Sequence, residues 1–318
     1  MTYIILLLGF IFLIKGADLF VDGASALSKK MGIPSVIIGL TVVAFGTSLP
    51  EAAVSVTASL NGSSGISIGN VVGSNLFNLL VVAGSSAIFS AVAVNKQIIK
   101  KDFPFSIVST FALLFLAYNI FTNPVSDMVL SSADGMVLLL FFAIFMFYTV
   151  KAALSSPADE DENDVKDIPL WKQLLFIVIG IAAICLGGKF VVDSASEIAR
   201  TFGLTEGLIG LTIAAVGTSL PELVTSIVAA KKGENDIAMG NVIGSNIFNI
   251  LFVMGVASLI RPVPVDVTSM YDIGILIISS LIVYLFTLRK REIARPLGIT
   301  MVLSYVVYLV YLVYIVMR

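Results

Sequence analysis

The sequence predicts an all-α integral membrane protein, with ten transmembrane helices arranged as two inverted five-helix repeats. Three observations carry this. Of 318 residues, 58% are hydrophobic and only 13% charged, about half the charged share of an ordinary soluble domain. The apolar residues fall in runs of about twenty, the length that crosses roughly 30 Å of hydrocarbon at 1.5 Å per residue. Residues 39–78 return at 210–249, offset by 171 positions without a gap, and 22 of the 40 positions are identical.

Ten spans are expected near 3–27, 35–60, 66–91, 103–122, 130–154, 170–196, 205–230, 237–260, 270–288 and 296–316. The first has neither a basic flank nor a small-residue cleavage site, so it reads as a membrane helix and not a removable signal. The longest polar stretch, 155–169, contains PADEDENDVKD and divides the chain into halves, 1–154 and 170–318. Five spans is an odd number, so the second half enters the membrane from the opposite side. The repeats must then be related by a two-fold axis in the membrane plane, an arrangement typical of secondary transporters. The odd-numbered connections hold fourteen Lys and Arg, against Arg200, Arg261 and Arg318 in the even connections and at the termini. Cytoplasmic loops collect basic residues, so both termini are expected outside a multi-pass cell-membrane protein.

Composition also excludes chemistry. Mean hydropathy is +1.04 and net charge −2, and neither points to nucleic acid. The one cysteine, Cys185, lies in an apolar run and allows no intrachain disulfide. Histidine is absent, which removes His-ligated metals, His proton relays and Ser-His or Cys-His nucleophiles. No G-x-G-D run offers the paired aspartates of an intramembrane protease. The protein is expected to be no enzyme and to need no cofactor, nucleic acid or obligate protein partner.

Each repeat carries G-T-S-L-P-E in mid-span, at Gly46–Glu51 and Gly217–Glu222. Pro50 and Pro221 lack an N–H and clash with the preceding turn, so each helix must bend or break. Glu51 and Glu222 place carboxylates deep in the membrane, at a cost of several kcal/mol unless compensated. A broken helix answers both demands, because freed carbonyls around Ala44–Thr47 and Ala215–Thr218 can ligate a cation that the carboxylate also faces. Ser48 and Glu51 lie at i, i+3 on one face, as do Ser219 and Glu222. Ser74 and Asn78, at i, i+4 in GNVVGSNLFN, share a face, as do Ser245 and Asn249 in GNVIGSNIFN. Together these oxygens suit a hard cation such as Ca²⁺ or Na⁺ and not a soft metal. For the serines and asparagines, plain interhelical hydrogen bonding is the rival reading, and for Gly69, Gly73, Gly240 and Gly244 close helix packing is the main one.

At these motifs the sequence resembles the cation/Ca²⁺ exchanger superfamily, and most nearly its small prokaryotic Na⁺/Ca²⁺ exchangers. The resemblance covers nearly the whole chain. It implies a secondary antiporter working by alternating access, with Ca²⁺ and Na⁺ as transported ions and four cation sites clustered at the centre. It implies the ligands Ala44 (carbonyl), Thr47, Ser48, Glu51, Ser74 and Asn78, with repeat partners Ala215 (carbonyl), Thr218, Ser219, Glu222, Ser245 and Asn249. It further implies that the first and sixth spans slide against the rest. Many relatives carry Asp at one of the two positions held here by Asn78 and Asn249, and two asparagines argue against K⁺ dependence. No acid follows Gly69-Asn70-Val71-Val72, which argues against the proton-coupled branch. A passive cation channel could use similar oxygens, and coupled counter-flow separates the two.

Two charged features are set aside. Lys15 with Asp18, and Lys189 with Asp193, have the spacing of local ion pairs or snorkelling ends. Asp159–Asp167 lacks the glycine and the bidentate Glu of an EF-hand and reads as a solvated loop.

Overall fold

The structure, a computed structural model, describes residues 1–118, 128–155, 168–203, 213 and 215–316. Helix α1 is Thr2–Met31, and α2 (Ser35–Thr47) and α3 (Leu49–Leu60) form one span bent by 49°. Then come α4 (Gly65–Phe89), α5 (Phe103–Ala117), α6 (Ser132–Ser155) and α7 (Leu170–Thr201). The chain continues with α8 (Ala215–Gly217), α9 (Leu220–Lys231), α10 (Asn235–Ile260), α11 (Val267–Lys290) and α12 (Arg295–Val316). Among the described residues, seven helices are long and apolar enough to cross a membrane, and the bent α2–α3 pair makes eight. The protein is thus an all-helical, multi-pass membrane protein.

The remaining two expected spans differ in form. Around 103–122 the helix proper is the 15-residue α5, entered through a wide π turn at Ile98–Asp102, and 119–122 lie outside the described residues. Of 205–230, the described part is residue 213, α8 and α9. The acidic stretch 156–167 lies outside the described residues as well. Helix α1 runs a turn beyond its expected end. Lys29 and Lys30 there favour the negative end of the helix dipole, and Gly32, at φ 65°, stops the helix while its N–H bonds back to Lys29 O.

Helices α1 and α7 lie antiparallel along glycines seven residues apart. A Cβ on Gly9 would come within 3.0 Å of Gly187 O, and one on Gly187 within 2.7 Å of Gly9 O. The same holds for Gly16 against Gly180 O (3.0 Å) and Gly180 against Gly16 O (2.9 Å). Only glycine permits this approach, and the offset of 171 turns Gly9 into Gly180 and Gly16 into Gly187. Each helix therefore meets its own counterpart head to tail.

Four short strands, which the hydrophobic runs do not announce, repeat the exchange. Strand β1 (Val92–Ala93) pairs antiparallel with β4 (Glu292–Ile293), and β2 (Val129–Leu130) with β3 (Val263–Pro264). Each pair joins a connection of one half to a connection of the other.

Of the two readings of the charges on α1, local ion pair or snorkelling end, the described residues show Asp18 paired with a partner other than Lys15. Asp18 and Asp22 both reach across to Lys232, at 2.6 and 2.7 Å, while Lys15 is exposed. Ser25 donates to Glu234 beside them. A lysine in the α9–α10 turn reaches two carboxylates one turn apart on α1 and takes both of them.

Candidate cation site

The breaks expected at the prolines fall two residues earlier, at Ser48 (φ −85°, ψ 10°) and Ser219 (φ −91°, ψ 6°). The nearly equal angles put the break at the same residue of each copy, although Ser48 N bonds back four residues to Ala44 O and Ser219 N three residues to Val216 O. Pro50 and Pro221 then sit in the first turn of α3 and α9, where a missing N–H costs little. Glu51 and Glu222 share that first turn, so the positive end of each helix dipole faces its carboxylate.

The two halves exchange partners across the centre. Ser48 Oγ donates to Glu222 Oε1 at 2.7 Å, and Ser219 Oγ donates to Glu51 Oε1 at 2.9 Å. Ser74 Oγ reaches Glu51 Oε1 at 3.5 Å. Ser245 Oγ donates to Ala44 O at 3.4 Å, and Thr47 Oγ1 donates to Asn241 Oδ1 at 3.0 Å. Ser48, Glu51, Ser219, Glu222, Ser245, Asn78 and Asn249 are all fully buried.

Several buried oxygens nevertheless find no protein donor among the described residues. They are Glu51 Oε2, Glu222 Oε2, Asn78 Oδ1, Asn249 Oδ1 and Thr218 Oγ1. A buried carboxylate oxygen without a partner is costly, and two together far more so. Among the described residues no lysine or arginine pairs with either carboxylate: Lys231 and Lys232, nearest to Glu222 in the chain, are directed to the Phe89 ring and to Asp18 and Asp22. Among the described residues no three His, Cys, Asp or Glu side chains gather, so a cation held here draws its other ligands from hydroxyls and amides.

The structure brings Ser48, Ser74 and Ser219 together with the two glutamates, and sequence reasoning left out the residues that hold them. Asn241 Nδ2 donates to Ser226 Oγ at 2.9 Å and to Glu222 O at 3.4 Å, and Asn70 Nδ2 does the same for Ser55 Oγ (2.9 Å) and Glu51 O (3.2 Å). Asn75 and Asn246, equivalent by the offset of 171, each donate to the other's carbonyl at 3.1 and 3.3 Å. Asn75 Oδ1 also accepts from Asn249 Nδ2 at 3.2 Å, which aims Asn249 Oδ1 away from that bond. The repeat itself was the available signal, since all six of these residues recur as polar groups in both copies. Asn78 starts one π turn (Asn78–Val82), and Asn249 lies in another (Phe248–Val253). Such turns recur at functional sites, and nothing in the hydrophobic pattern marks them.

One expected ligand already accepts a backbone bond. Ala44 O is not left bare by the break, because Ser48 N donates to it at 3.1 Å. Gly46 O, four residues before Pro50 and within the expected Ala44–Thr47 stretch, loses its helical donor. Ala215 opens α8.

The family model for sodium/calcium exchanger proteins matches residues 1–151 and 172–314. The chain belongs to the sodium/calcium exchanger family. It is 35% identical to sodium/calcium exchanger MaX1 of Methanosarcina acetivorans, covering 96% of each chain. Inner membrane protein YrbG of Escherichia coli is 34% identical, over 95% of this chain and 94% of that one. Among solved structures, the sodium-calcium exchanger NCX_Mj soaked with zero Na⁺ and Ca²⁺ superposes with a TM-score of 0.83 at 34% identity, covering 98% of both chains. As a member of this family the protein is a membrane transporter and not an enzyme.

Proposed function

We propose that the protein exchanges Na⁺ for Ca²⁺ by alternating access, binding both ions in turn between Glu51 and Glu222. The observation that carries this reading is the set of buried oxygens that no protein donor satisfies, led by one oxygen of each glutamate. Thr47, Ser48, Ser74 and Asn78 from one half and Thr218, Ser219, Ser245 and Asn249 from the other complete the shell, with backbone carbonyls near Ala44 and Ala215. Hard oxygen ligands of mixed charge suit Ca²⁺ and Na⁺. Family membership and the exchangers named above support the same ions.

The charge balance favours exchange. Two glutamates give −2, which one Ca²⁺ neutralises, as do two Na⁺. A third Na⁺ leaves the loaded carrier at +1 and makes transport electrogenic, worth roughly 2.3 kcal/mol per 100 mV. The architecture proposed with it is ten spans in two inverted halves, 1–154 and 170–318, joined by the cytoplasmic loop 155–169 in the cell membrane with both termini outside. The head-to-tail α1–α7 contact, the exchanged strand pairs and the reciprocal Asn75–Asn246 bonds support that arrangement. The glycine-lined α1–α7 pair supports a sliding element.

The test is Ca²⁺ uptake into proteoliposomes preloaded with Na⁺, K⁺ or an acidic interior. Uptake driven by internal Na⁺ alone upholds the reading. Uptake that follows the proton gradient replaces it with H⁺/Ca²⁺ exchange, and uptake indifferent to every counter-ion replaces it with a channel.

A further inference from the structure

Buried hydroxyls inside the long helices satisfy themselves on the preceding turn. Thr110, Thr149, Thr287 and Ser258 each donate to the carbonyl four residues back, at 3.0, 2.8, 2.7 and 2.6 Å. This back-bond is the ordinary resort of a Ser or Thr within a helix. Thr225 in α9 departs from it. The residue is fully buried, yet its Oγ1 has no partner among the described residues, not even the carbonyl of Pro221. The helices packed on α9 include α1, α4 and α10, each described along its whole length. An unpaired hydroxyl held out of water is costly, and a valine would fill the same space without that cost.

Thr225 stands three residues after Glu222, whose Oε2 is likewise buried and without a partner among the described residues. Residues at i and i+3 share a helix face, with Cβ atoms about 5–6 Å apart. Ca²⁺ takes its oxygens at about 2.3–2.6 Å, so one ion bridges two oxygens up to about 5 Å apart. From Glu222 the chain runs through Thr225 toward the α9–α10 turn, away from the break at Ser219. The first repeat offers no such oxygen, because the residue equivalent to Thr225 under the offset of 171 is Val54.

We propose that the Thr225 hydroxyl is a further cation-binding oxygen, which takes the ion together with Glu222 Oε2 on the α9–α10 side of the site. The two glutamates then serve unequally: Glu222 has a hydroxyl one turn further along its helix, and Glu51 has a methyl-bearing side chain there. Thr225 lies outside the Gly-Thr-Ser-Leu-Pro-Glu run and has no polar counterpart, so neither the motif nor the repeat points to it. The inference rests on the cation site proposed above.

The test titrates Ca²⁺ calorimetrically into purified protein in Na⁺-free buffer and follows thermal unfolding of the ion-free protein. Thr225→Val, which keeps the side-chain shape, is expected to weaken Ca²⁺ binding about fivefold, the scale of one net polar contact. Its ion-free unfolding midpoint should equal the parent's or exceed it, since no bond of the fold is lost. Thr225→Ser, which restores a hydroxyl, should bind Ca²⁺ within about twofold of the parent. Unchanged Ca²⁺ affinity in Thr225→Val overturns the proposal and leaves the hydroxyl to bound water. A lowered ion-free midpoint in that variant overturns it as well, because the hydroxyl then holds the fold. Parent protein that binds no Ca²⁺ removes the site itself and this oxygen with it. Uptake that follows protons instead of Na⁺ refutes the exchange reading alone, because binding is read here without transport.

Discussion

The broken helix of the first half and that of the second share Gly-Thr-Ser-Leu-Pro-Glu residue for residue, yet they keep different company. The carboxylate ends are alike: Ser48 bonds Glu222, Ser219 bonds Glu51, and one oxygen of each glutamate stays without a protein donor. The approach to them is unlike. Residues Gly39 to Ala44 press against the Gly240–Gly244 face of α10, while the Gly69–Gly73 face of α4 stands clear among the described residues. The chemistry at the centre is shared by the two halves, and the packing beside it among the described residues is not.

The largest effect belongs to the shared part. In the proposed site, Glu51→Gln and Glu222→Gln each remove one of the two buried charges that would face the divalent ion, where losing a charged partner costs roughly 3–5 kcal/mol. Each variant is expected to lose Na⁺-driven Ca²⁺ uptake by at least about a hundredfold, measured in proteoliposomes against the parent. Near-parent uptake in either variant would mean that the halves do not contribute equally and would break the comparison at its symmetrical end.

Much of the centre is legible in the chain because the repeat supplies an internal control. Glu51 and Glu222 can be singled out by their cost in a membrane, and Pro50 and Pro221 by the helix they cannot continue. Ser48 and Ser219 follow from helical spacing. What spacing does not give is who bonds whom, since the partners of Ser48 and Ser219 lie 174 and 168 positions away in the other half. The break itself sits at the serine because proline fits the first helical turn, and the sequence pattern does not separate a kink at proline from a new helix begun just before it. Charges near α1 are misread for a related reason. Asp18 and Lys15 are close in sequence, but a tertiary partner, Lys232, takes the aspartates.

Packing supplies the next effect. Gly244→Ala would place a Cβ 2.6 Å from Leu40 O, a backbone atom that cannot swing aside, whereas Gly73→Ala meets nothing within 4 Å among the described residues. Overpacking of this kind costs roughly 1–3 kcal/mol. Thermal unfolding followed by circular dichroism should place Gly244→Ala below the parent and leave Gly73→Ala close to it. Equal losses would show that the α4 face is packed as tightly as its counterpart.

Asn78 and Asn249 extend the contrast at smaller scale. Neither amide atom of Asn78 has a partner among the described residues, while Asn249 Nδ2 is tied to Asn75. Asn78→Ala therefore removes a proposed cation ligand and no hydrogen bond seen among the described residues. It should weaken Ca²⁺ binding about tenfold, on the order of 1.4 kcal/mol, with an unchanged unfolding midpoint. Asn249→Ala should lower both. Isothermal titration alongside thermal unfolding separates them, and a drop in the Asn78→Ala midpoint would show a structural role instead.

The smallest effect concerns a tie present on one side only. Lys232 bridges Asp18 and Asp22, and its repeat counterpart is the uncharged Asn61. Burial works against the Lys232 charge, but hydrogen bonds from it to Asp18 and Asp22 outweigh burial and hold its pKa above the ordinary lysine value. A raised lysine pKa contributes stability that is complete below the ordinary value of about 10.4 and fades as pH climbs through the raised one. Between pH 6 and 9, taken as a working range of about three units, the lysine's share of the tie should therefore not vary with pH. Salt should weaken it, because the lysine side chain is 28% exposed and the aspartates 46% and 52%. Lys232→Gln is expected to cost about 0.2–1 kcal/mol, the range of solvent-exposed pairs, measured as a lowered unfolding midpoint at low ionic strength that converges on the parent's as salt rises. A loss that persists at high salt would mean that Lys232 acts through the packing of its methylenes against α1, and the one-sided contact would then be steric in origin.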